Sequence, residues 1–322
     1  MDDSAPWHSD LPNTMTAARP LAFHDGSCTR CGVTEPLVRL SEFGKAYCPE
    51  CFPDAFQRRV QSTLRRYEML RKGHHHLGVA VSGGKDSAAL LHALWSLRWQ
   101  LNLRLSALHV HMGLGEYSDQ SLQAVTALTD KLGVPLVLER VADHGVRIQP
   151  VGTFAQCSVC GAVRRALLDR AGLREGWEAV ATGHTLDDWL QQMLKRLLTG
   201  RLDAPKPVLP GDAFHPRKLK PLSLMPDEAC REYVTITGLP HLETQCMQFS
   251  PDTHRLKQVF ALLESLAPSS KTQLANTLMK AMKAPAPGGP DRPCPECGQP
   301  TGTEVCPLCR LRRVQAASEP EG

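Results

Sequence analysis

No run of about 18 consecutive apolar residues occurs in this 322-residue sequence, so nothing in it reads as a membrane-spanning helix. Its start, Met1-Asp2-Asp3-Ser4-Ala5-Pro6, lacks the basic region and apolar stretch of a secretory signal. The expectation is a cytoplasmic chain that stays off the membrane. A large charge excess is missing too: 37 Lys and Arg against 33 Asp and Glu leave a formal net charge of +4, too little to identify a nucleic-acid partner by bulk charge. Also absent is the Gly-x4-Gly-Lys-Ser/Thr loop, which disfavours a P-loop hydrolase. With 42% hydrophobic and 22% charged residues, wholesale disorder is excluded, and the length suffices for one α/β domain with smaller attachments.

What charge there is falls unevenly. Arg58, Arg59, Arg65, Arg66, Arg71 and Lys72 form one basic stretch, Arg217, Lys218 and Lys220 a second, and Arg310, Arg312 and Arg313 a third. Such patches suit a phosphate backbone, although any one of them alone is more often a solvated helix face.

Cysteine is plentiful, and its spacing carries the information. Cys28-x2-Cys31 is followed after 16 residues by Cys48-x2-Cys51, and Cys294-x2-Cys297 after 8 by Cys306-x2-Cys309. A C-x2-C turn sets two thiolates on one side of a tight loop. Two facing turns supply the closed tetrahedral sulfur site of structural Zn²⁺. Disulfides are the competing reading, opposed by a reducing cytoplasm. Cys157-x2-Cys160 and Cys246 have no second pair nearby, and Cys230 reads as a core residue within a helix.

Residues 1–27 read as a disordered extension, 28–52 as the first zinc module and 53–72 as a linking basic helix that starts at Pro53. Over 73–225, short apolar strands (77–81, 103–110, 135–138, 178–181, 218–222) alternate with helices (87–97, 121–132, 163–171, 186–198). This pattern predicts an α/β fold: a doubly wound, parallel, five-stranded sheet covered on both faces, with ligands beyond the carboxyl ends of its strands. A helical C-terminal part carrying Cys246 follows over 226–285, including a helix at 252–266. A Pro/Gly linker (286–293), the second zinc module (294–313) and a disordered tail (314–322) complete the chain.

The first of these strands runs into Ser82-Gly83-Gly84-Lys85-Asp86-Ser87 and then a helix. The glycines let the backbone approach an anion, helix N–H groups point at it, and Lys85, Ser82 and Ser87 add donors. The segment Thr182-Gly183-His184-Thr185-Leu186-Asp187-Asp188 ends a later strand. Thr185-x-x-Asp188 is by itself a plausible helix cap.

Ser-Gly-Gly-Lys-Asp-Ser resembles the signature of the PP-loop (N-type) ATP pyrophosphatases. That likeness implies ATP on Ser82–Ser87, Mg²⁺ near Asp86 and Asp188, and a nucleotide or substrate border at Gly183, His184, Asp187 and Asp188. With Cys157-Ser-Val-Cys160-Gly, Arg164-Arg165 and the later single Cys246, in this order, the chain resembles the tRNA 2-thiolation family. That family contains TtuA-type, TtcA-type and cytosolic thiouridylase enzymes, and the terminal zinc modules are similar to those of the first and third. The resemblance covers Cys28 to Cys309. It implies a [4Fe-4S] cluster on Cys157, Cys160 and Cys246, leaving one iron open to an external sulfide; a persulfide or disulfide relay and a water-completed zinc site remain as alternatives. Arg164 stands where TtuA-type enzymes often carry Lys, and Thr185 where the family has Asn. An Arg stays charged and is a poor base, but it can stabilise a phosphate or oxyanion.

The implied activity is adenylation of O2 of a tRNA uridine at position 54, with release of pyrophosphate, followed by replacement of O2 by sulfur. Uridine 34 and cytidine 32 compete as targets. The implied partners are tRNA, gripped by the zinc modules and the basic helix, a sulfur donor (a ubiquitin-like thiocarboxylate carrier or free sulfide), and a second copy of the chain in a homodimer. A sulfur-independent PP-loop ligase such as a lysidine synthetase, and a non-catalytic zinc RNA-binding module, are the rival readings.

Overall fold

The computed structural model describes residues 26–34, 37–40, 44–71, 73–149, 156–203, 206–244, 246, 251–281 and 292–317. Most of the expected N-terminal extension, most of the linker at 286–293 and the last five residues lie outside the described residues, as does Lys72 of the basic stretch.

The first cysteine module is a short antiparallel hairpin, β1 (Val38–Leu40) and β2 (Lys45–Tyr47), with Leu37, Ala46, Cys28 and Cys48 as its small buried centre. It passes directly into α1 (Phe52–Arg66), with Pro53 at its start, Asp54 in the first turn and Arg65 and Arg66 in the last, as the helix dipole favours. The expected helix over 53–72 is shorter at its end. The Met69 amide bonds back to the Leu64 carbonyl, burying Met69, and Glu68 takes a left-handed φ of 48°. The Arg217 guanidinium then holds the carbonyls of Met69 and Glu68 at 2.6 and 3.0 Å. Arg217 is therefore a structural clamp. Lys218 is likewise engaged, 2.7 Å from Asp169, and in the third basic cluster Arg312 bonds the His144 carbonyl while Arg313 pairs with Glu296. Arg217 and Lys218 of the second basic cluster, and Arg312 and Arg313 of the third, thus also serve this fold's own contacts.

The sheet is built from β3 (His75–Ala80), β4 (Leu103–His111), β5 (Leu136–Arg140), β6 (Ala179–Thr182), β7 (Val208–Leu209) and β8 (Arg217–Leu219), in the order β5-β4-β3-β6-β8-β7. All five expected strands are present and parallel; β7 adds an antiparallel edge that two residues could not announce by periodicity. Four helices connect them: α2 (Lys85–Leu97), α3 (Glu116–Leu132), α4 (Gln156–Arg174) and α5 (Leu186–Leu198). From β3 the chain winds outward to β4 and β5, then returns to place β6 on β3's other side. The carboxyl ends of β3 and β6 thus form the topological switch point where ligands of such sheets bind. Both polar motifs leave the sheet there.

Helix α4 begins seven residues before its expected start at 163, so that Cys157 and Cys160 fall within its first five residues. The helical C-terminal part does not pack as one unit. Its first helix, α6 (Asp227–Thr237), joins the main core, where Tyr233 stacks on Phe56 at 4.0 Å and receives or gives hydrogen bonds at His92 (2.8 Å) and Gln57 (3.0 Å). Helices α7 (Pro251–Leu266) and α8 (Ser270–Ala281) instead cover α5, with Phe260 and Ala275 against Leu186, Trp189 and Leu190.

The second cysteine module pairs β9 (Arg292–Pro293) with β10 (Pro300–Thr301) and ends in α9 (Pro307–Ala316). Its Val305, Leu308 and Leu311 share a core with Val159, Val163 and Leu167 of α4. The helix runs into the stretch expected as a disordered tail because Gln315 clamps both backbone groups of Arg147, at 2.7 and 3.2 Å.

In each module four cysteine sulfurs lie within 4.8 Å of one another, with Cys31 and Cys48 3.7 Å apart and Cys297 and Cys306 3.5 Å apart. Four thiolates around one ion at ~2.3 Å sit about 3.8 Å apart, so the spacing fits a tetrahedral metal. Burial raises the Cys28 and Cys294 thiols, but each gains three backbone N–H bonds that bring it down to about 6. One thiol of each module is thus poised as a thiolate at neutral pH, while burial and the neighbouring thiols raise Cys48, Cys51, Cys306 and Cys309. Replacing the fully buried Cys309 by Ser should release one equivalent of metal and loosen α9 from α4; metal analysis together with thermal unfolding checks this, and an unchanged metal content would sink it.

Candidate active site

The anion loop follows β3. Gly83 has φ 88°, and a Cβ there would lie 2.6 Å from Ser121 Oγ and 2.9 Å from the Ser121 carbonyl. Only glycine fits, because α3 packs directly on the loop: Ser121 Oγ donates to the Ser82 carbonyl at 2.6 Å. The loop also braces itself, with the Ser82 amide bonded to Ser87 Oγ at 3.1 Å and Ser87 Oγ donating to the Gly84 carbonyl at 2.9 Å. From β6, Gly183 approaches so closely that a Cβ would sit 3.1 Å from Asp86 and Ser87 backbone atoms. The two sequence motifs therefore touch across the switch point.

Lys85 Nζ lies 2.6 Å from Asp86 and 2.5 Å from Asp227, the first residue of α6. Burial would lower the Lys85 pKa, but these two carboxylates carry it well above the usual lysine value. Burial, then the nearby Asp227, push Asp86 up to about 6 despite Lys85; Asp227 resists its own burial and stays near about 2 because Lys85 and Lys257 (3.5 Å away) stabilise its charge. Asp187 accepts from the Asp227 amide at 2.7 Å and from buried Lys271 at 3.1 Å, tying α8 into the same charge network. Asp188, expected near Mg²⁺ as well as in a cap, forms the capping box of α5 with Thr185, and its charge still bears on Asp86. The cap is real, and the carboxylate that meets Asp86 through Lys85 is Asp227. Residue pattern alone offered no sign of Asp227 beyond an acidic first-turn position.

His184 bonds Thr182 Oγ1 at 2.8 Å, and it lines a small cleft with Lys220 and Trp189. Desolvation, then the Lys220 ammonium, hold its imidazole below the ordinary histidine value, so it is neutral at pH 7.

Cys157 and Cys160 are the second and fifth residues of α4. Burial pushes the Cys160 thiol up, the Arg164 guanidinium 3.6 Å away pulls it back, and the charges of Cys246 and Cys157 are felt there as well. Tyr117 of α3 feels Cys246, Arg164 and Cys160 together. The three cysteines thus converge, but their sulfurs do not form a group within 4.8 Å as the two terminal modules do.

Two links join this trio to the anion loop. The Leu242 amide donates to the Gly83 carbonyl at 2.7 Å, and Cys246 is four residues further, at most about 14 Å along an extended chain. Tyr117 and Ser121 are one turn apart on the same face of α3, the first beside the trio and the second on Gly83. Neither link was visible in the sequence, since both depend on the strand order. Cys230 is fully buried beneath the loop, as expected of a core residue.

A family model described as a PP-loop domain matches residues 53–206. The tRNA-5-methyluridine(54) 2-sulfurtransferase of Thermus thermophilus is 30% identical over 88% of this chain and 90% of its own length. The chain belongs to the PP-loop tRNA 2-thiolation family. The sulfurtransferase of the same description from Thermotoga maritima is 31% identical over 89% of this chain and 96% of its own. Among solved structures, the U34-tRNA thiolase NcsA from Methanococcus maripaludis, recorded with its [4Fe-4S] cluster, superposes with a TM-score of 0.75 at 25% identity, covering 89% of this chain and 96% of that one. Other relatives, about 28% identical, are cytoplasmic tRNA 2-thiolation proteins, including one from Xenopus laevis. No described helix is long and apolar enough to cross a membrane.

Within this family of tRNA sulfurtransferases, the acid network makes a specific prediction. Asp227→Asn should raise the Mg²⁺ concentration for half-maximal pyrophosphate release roughly tenfold, as lost metal partners commonly do. Asp188→Ala should leave that titration nearly unchanged and instead cost about 1 kcal/mol of stability through the lost cap. The reverse pattern would make Asp188, not Asp227, the metal carboxylate.

Proposed function

We propose that this protein is an ATP-dependent tRNA 2-thiolase that adenylates O2 of uridine 54 and exchanges that oxygen for sulfur. The observation that carries the reading is the single turn of α3 between Ser121 and Tyr117, which ties the anion loop to the cysteine trio and makes them one site.

The chain's residues divide the work. Amides of Gly83, Gly84 and the start of α2 cradle phosphate oxygens, and Lys85, always charged, turns from Asp227 to the departing pyrophosphate. Asp86 and Asp227 are placed to hold Mg²⁺ against the same oxygens, hard donors for a hard cation. Uridine O2 attacks the α-phosphorus, the α–β bridging bond breaks, and pyrophosphate leaves. A sulfur nucleophile then adds at C2 and AMP departs with the former O2. Arg164, beside Cys160, stabilises the negative charge that develops on that oxygen. Cys157, Cys160 and Cys246 would hold the [4Fe-4S] cluster, which when bound supplies an iron free of protein ligand for an external sulfur. Free sulfide or a thiocarboxylate carrier is the donor, Zn²⁺ the metal of both terminal modules, and the cytoplasm the compartment.

Position 54 is favoured by the more similar sulfurtransferases, at 30–31% identity. The U34 thiolase likeness supports position 34 as the second reading. Anaerobic incubation with iron-loaded protein, ATP, Mg²⁺, sulfide and unmodified tRNA, followed by nucleoside mass spectrometry and mapping, separates them. Absence of pyrophosphate release with any tRNA would sink the reading altogether.

A pH dependence follows from Asp86. Its carboxyl is raised to about 6, so the free enzyme carries the metal-binding carboxylate only above that pH. The kcat/KM for ATP should therefore fall as pH drops through about 6 and be flat above it; a profile whose acid limb lies near pH 4 would remove Asp86 as the titrating group.

A further inference from the structure

A cavity of about 360 Å³ lies away from the site just described, between α4, the loop before β8 and the second cysteine module. It opens on the α4 face that carries Ala162, Arg165, Ala166, Asp169 and Arg170; by helical periodicity this is the side opposite Cys157, Cys160 and Arg164. None of the roles assigned above involves it. Its volume is at the small end of the range for ligand sites, room for one nucleotide rather than a folded segment.

The charges in the cavity are unequal. Asp169, at its floor, is already neutralised by Lys218 at 2.7 Å, with His215 at 4.0 Å. Arg165 and Arg170 are exposed, and among the described residues no carboxylate lies within ion-pair distance of either. Arg170 touches His144 Nδ1 at 3.4 Å and Arg165 bears on Asp169, so two guanidinium groups without an ion-pair partner line a pocket whose remaining wall includes the alanine methyls and the ring of Phe214. The 299–303 strand edge of the cysteine module closes it with hydroxyl and amide groups. Guanidinium forks beside an aromatic ring are the chemistry that holds an unpaired nucleotide, phosphate on arginine and base on ring. Along the α4 axis, Arg165 and Arg170 are displaced roughly 8 and 15 Å from Cys160, on the opposite side of the helix, so an RNA strand passing around α4 would have to span a few nucleotides between them.

We infer that this cavity binds one unpaired nucleotide of the tRNA, a few residues from the base being modified. The inference rests on the thiolation reading for the identity of the RNA, but its test is direct binding. Affinity of unmodified tRNA is measured by fluorescence anisotropy against salt concentration, with ATP binding and metal content measured on the same preparations. Arg170→Ala should weaken tRNA about tenfold and reduce the salt slope by about one. Phe214→Ala should weaken it about tenfold with the slope unchanged. Should Phe214→Ala unfold the loop, Phe214→Leu keeps the packing, removes the ring and should give the same loss. Wild-type affinity and slope in both positions overturn the inference. So does the case in which free UMP or AMP binds the wild type, is lost in Phe214→Ala, and tRNA affinity is untouched, since the cavity is then a mononucleotide site. If tRNA binding falls as expected in a protein that makes no thiouridine, the cavity stands and the thiolation reading fails by itself.

Discussion

Cys246→Ala should lower tRNA thiolation by ~100-fold or more while ATP binding is retained. Loss of an outer-shell partner already costs ~10–100-fold at metal centres, and here one of three candidate thiolates would itself be removed. The separation of effects follows from the chain path: the Leu242 amide anchors this segment on the Gly83 carbonyl independently of the Cys246 side chain, so the anion loop keeps its support. Iron content and thionucleoside yield should fall together. Cys230→Ala is the informative comparison. That thiol is fully buried against the phosphate loop, and burial pushes its pKa far above the ordinary value, so its loss should appear in stability with iron content unchanged. Full thiolation by the Cys246 variant would show that the sulfur step does not need the trio.

The second large effect is expected at Gly83. An alanine there must take φ 88° and place its Cβ 2.6 Å from Ser121 Oγ and 2.9 Å from the Ser121 carbonyl. The side-chain oxygen can rotate away, but the carbonyl belongs to α3 and cannot, so the loop has to shift. Backbone strain of this kind costs about 1–3 kcal/mol, and a displacement approaching 1 Å can cost ~10²-fold in catalysis. Gly83→Ala should therefore reduce kcat/KM for ATP about a hundredfold with a modest fall in melting temperature. At Gly84 the added Cβ would meet only Ser82 Oγ at 3.7 Å, with an ordinary extended backbone. A loss there would report how closely the nucleotide approaches, not how the protein packs. Equal and small effects at both glycines would mean that the loop is not held against α3 in the way described.

The same contact explains how the site divided between sequence and structure. The parallel strands were legible because short apolar runs buried on both faces repeat between helices, and α5 was expected with the bounds it has. The cysteine modules were legible because C-x2-C fixes two thiols within one turn. The start of α4 was not, since Gln156–Gly161 has no apolar stripe and its helix is completed by the cysteine module docked on Val159 and Val163. Likewise the second basic cluster looked like a surface patch, yet Arg217 spends its guanidinium on two carbonyls nearly 150 residues away.

By itself the sequence determined the chemistry available: an anion loop between strand and helix, eight thiolates in two closed sets, three more outside them, and a self-capping Thr185–Asp188 turn. These are local facts, set by backbone periodicity over a few residues. Which of those groups meet was decided by the tertiary structure alone. The order β5-β4-β3-β6-β8 brings Gly183 onto Asp86, chooses Asp227 over Asp188 as the carboxylate facing Lys85, and lets one turn of α3 join Gly83 to the cysteines. Contacts between distant segments depend on the path of the whole chain, and no short spacing along the sequence encodes them.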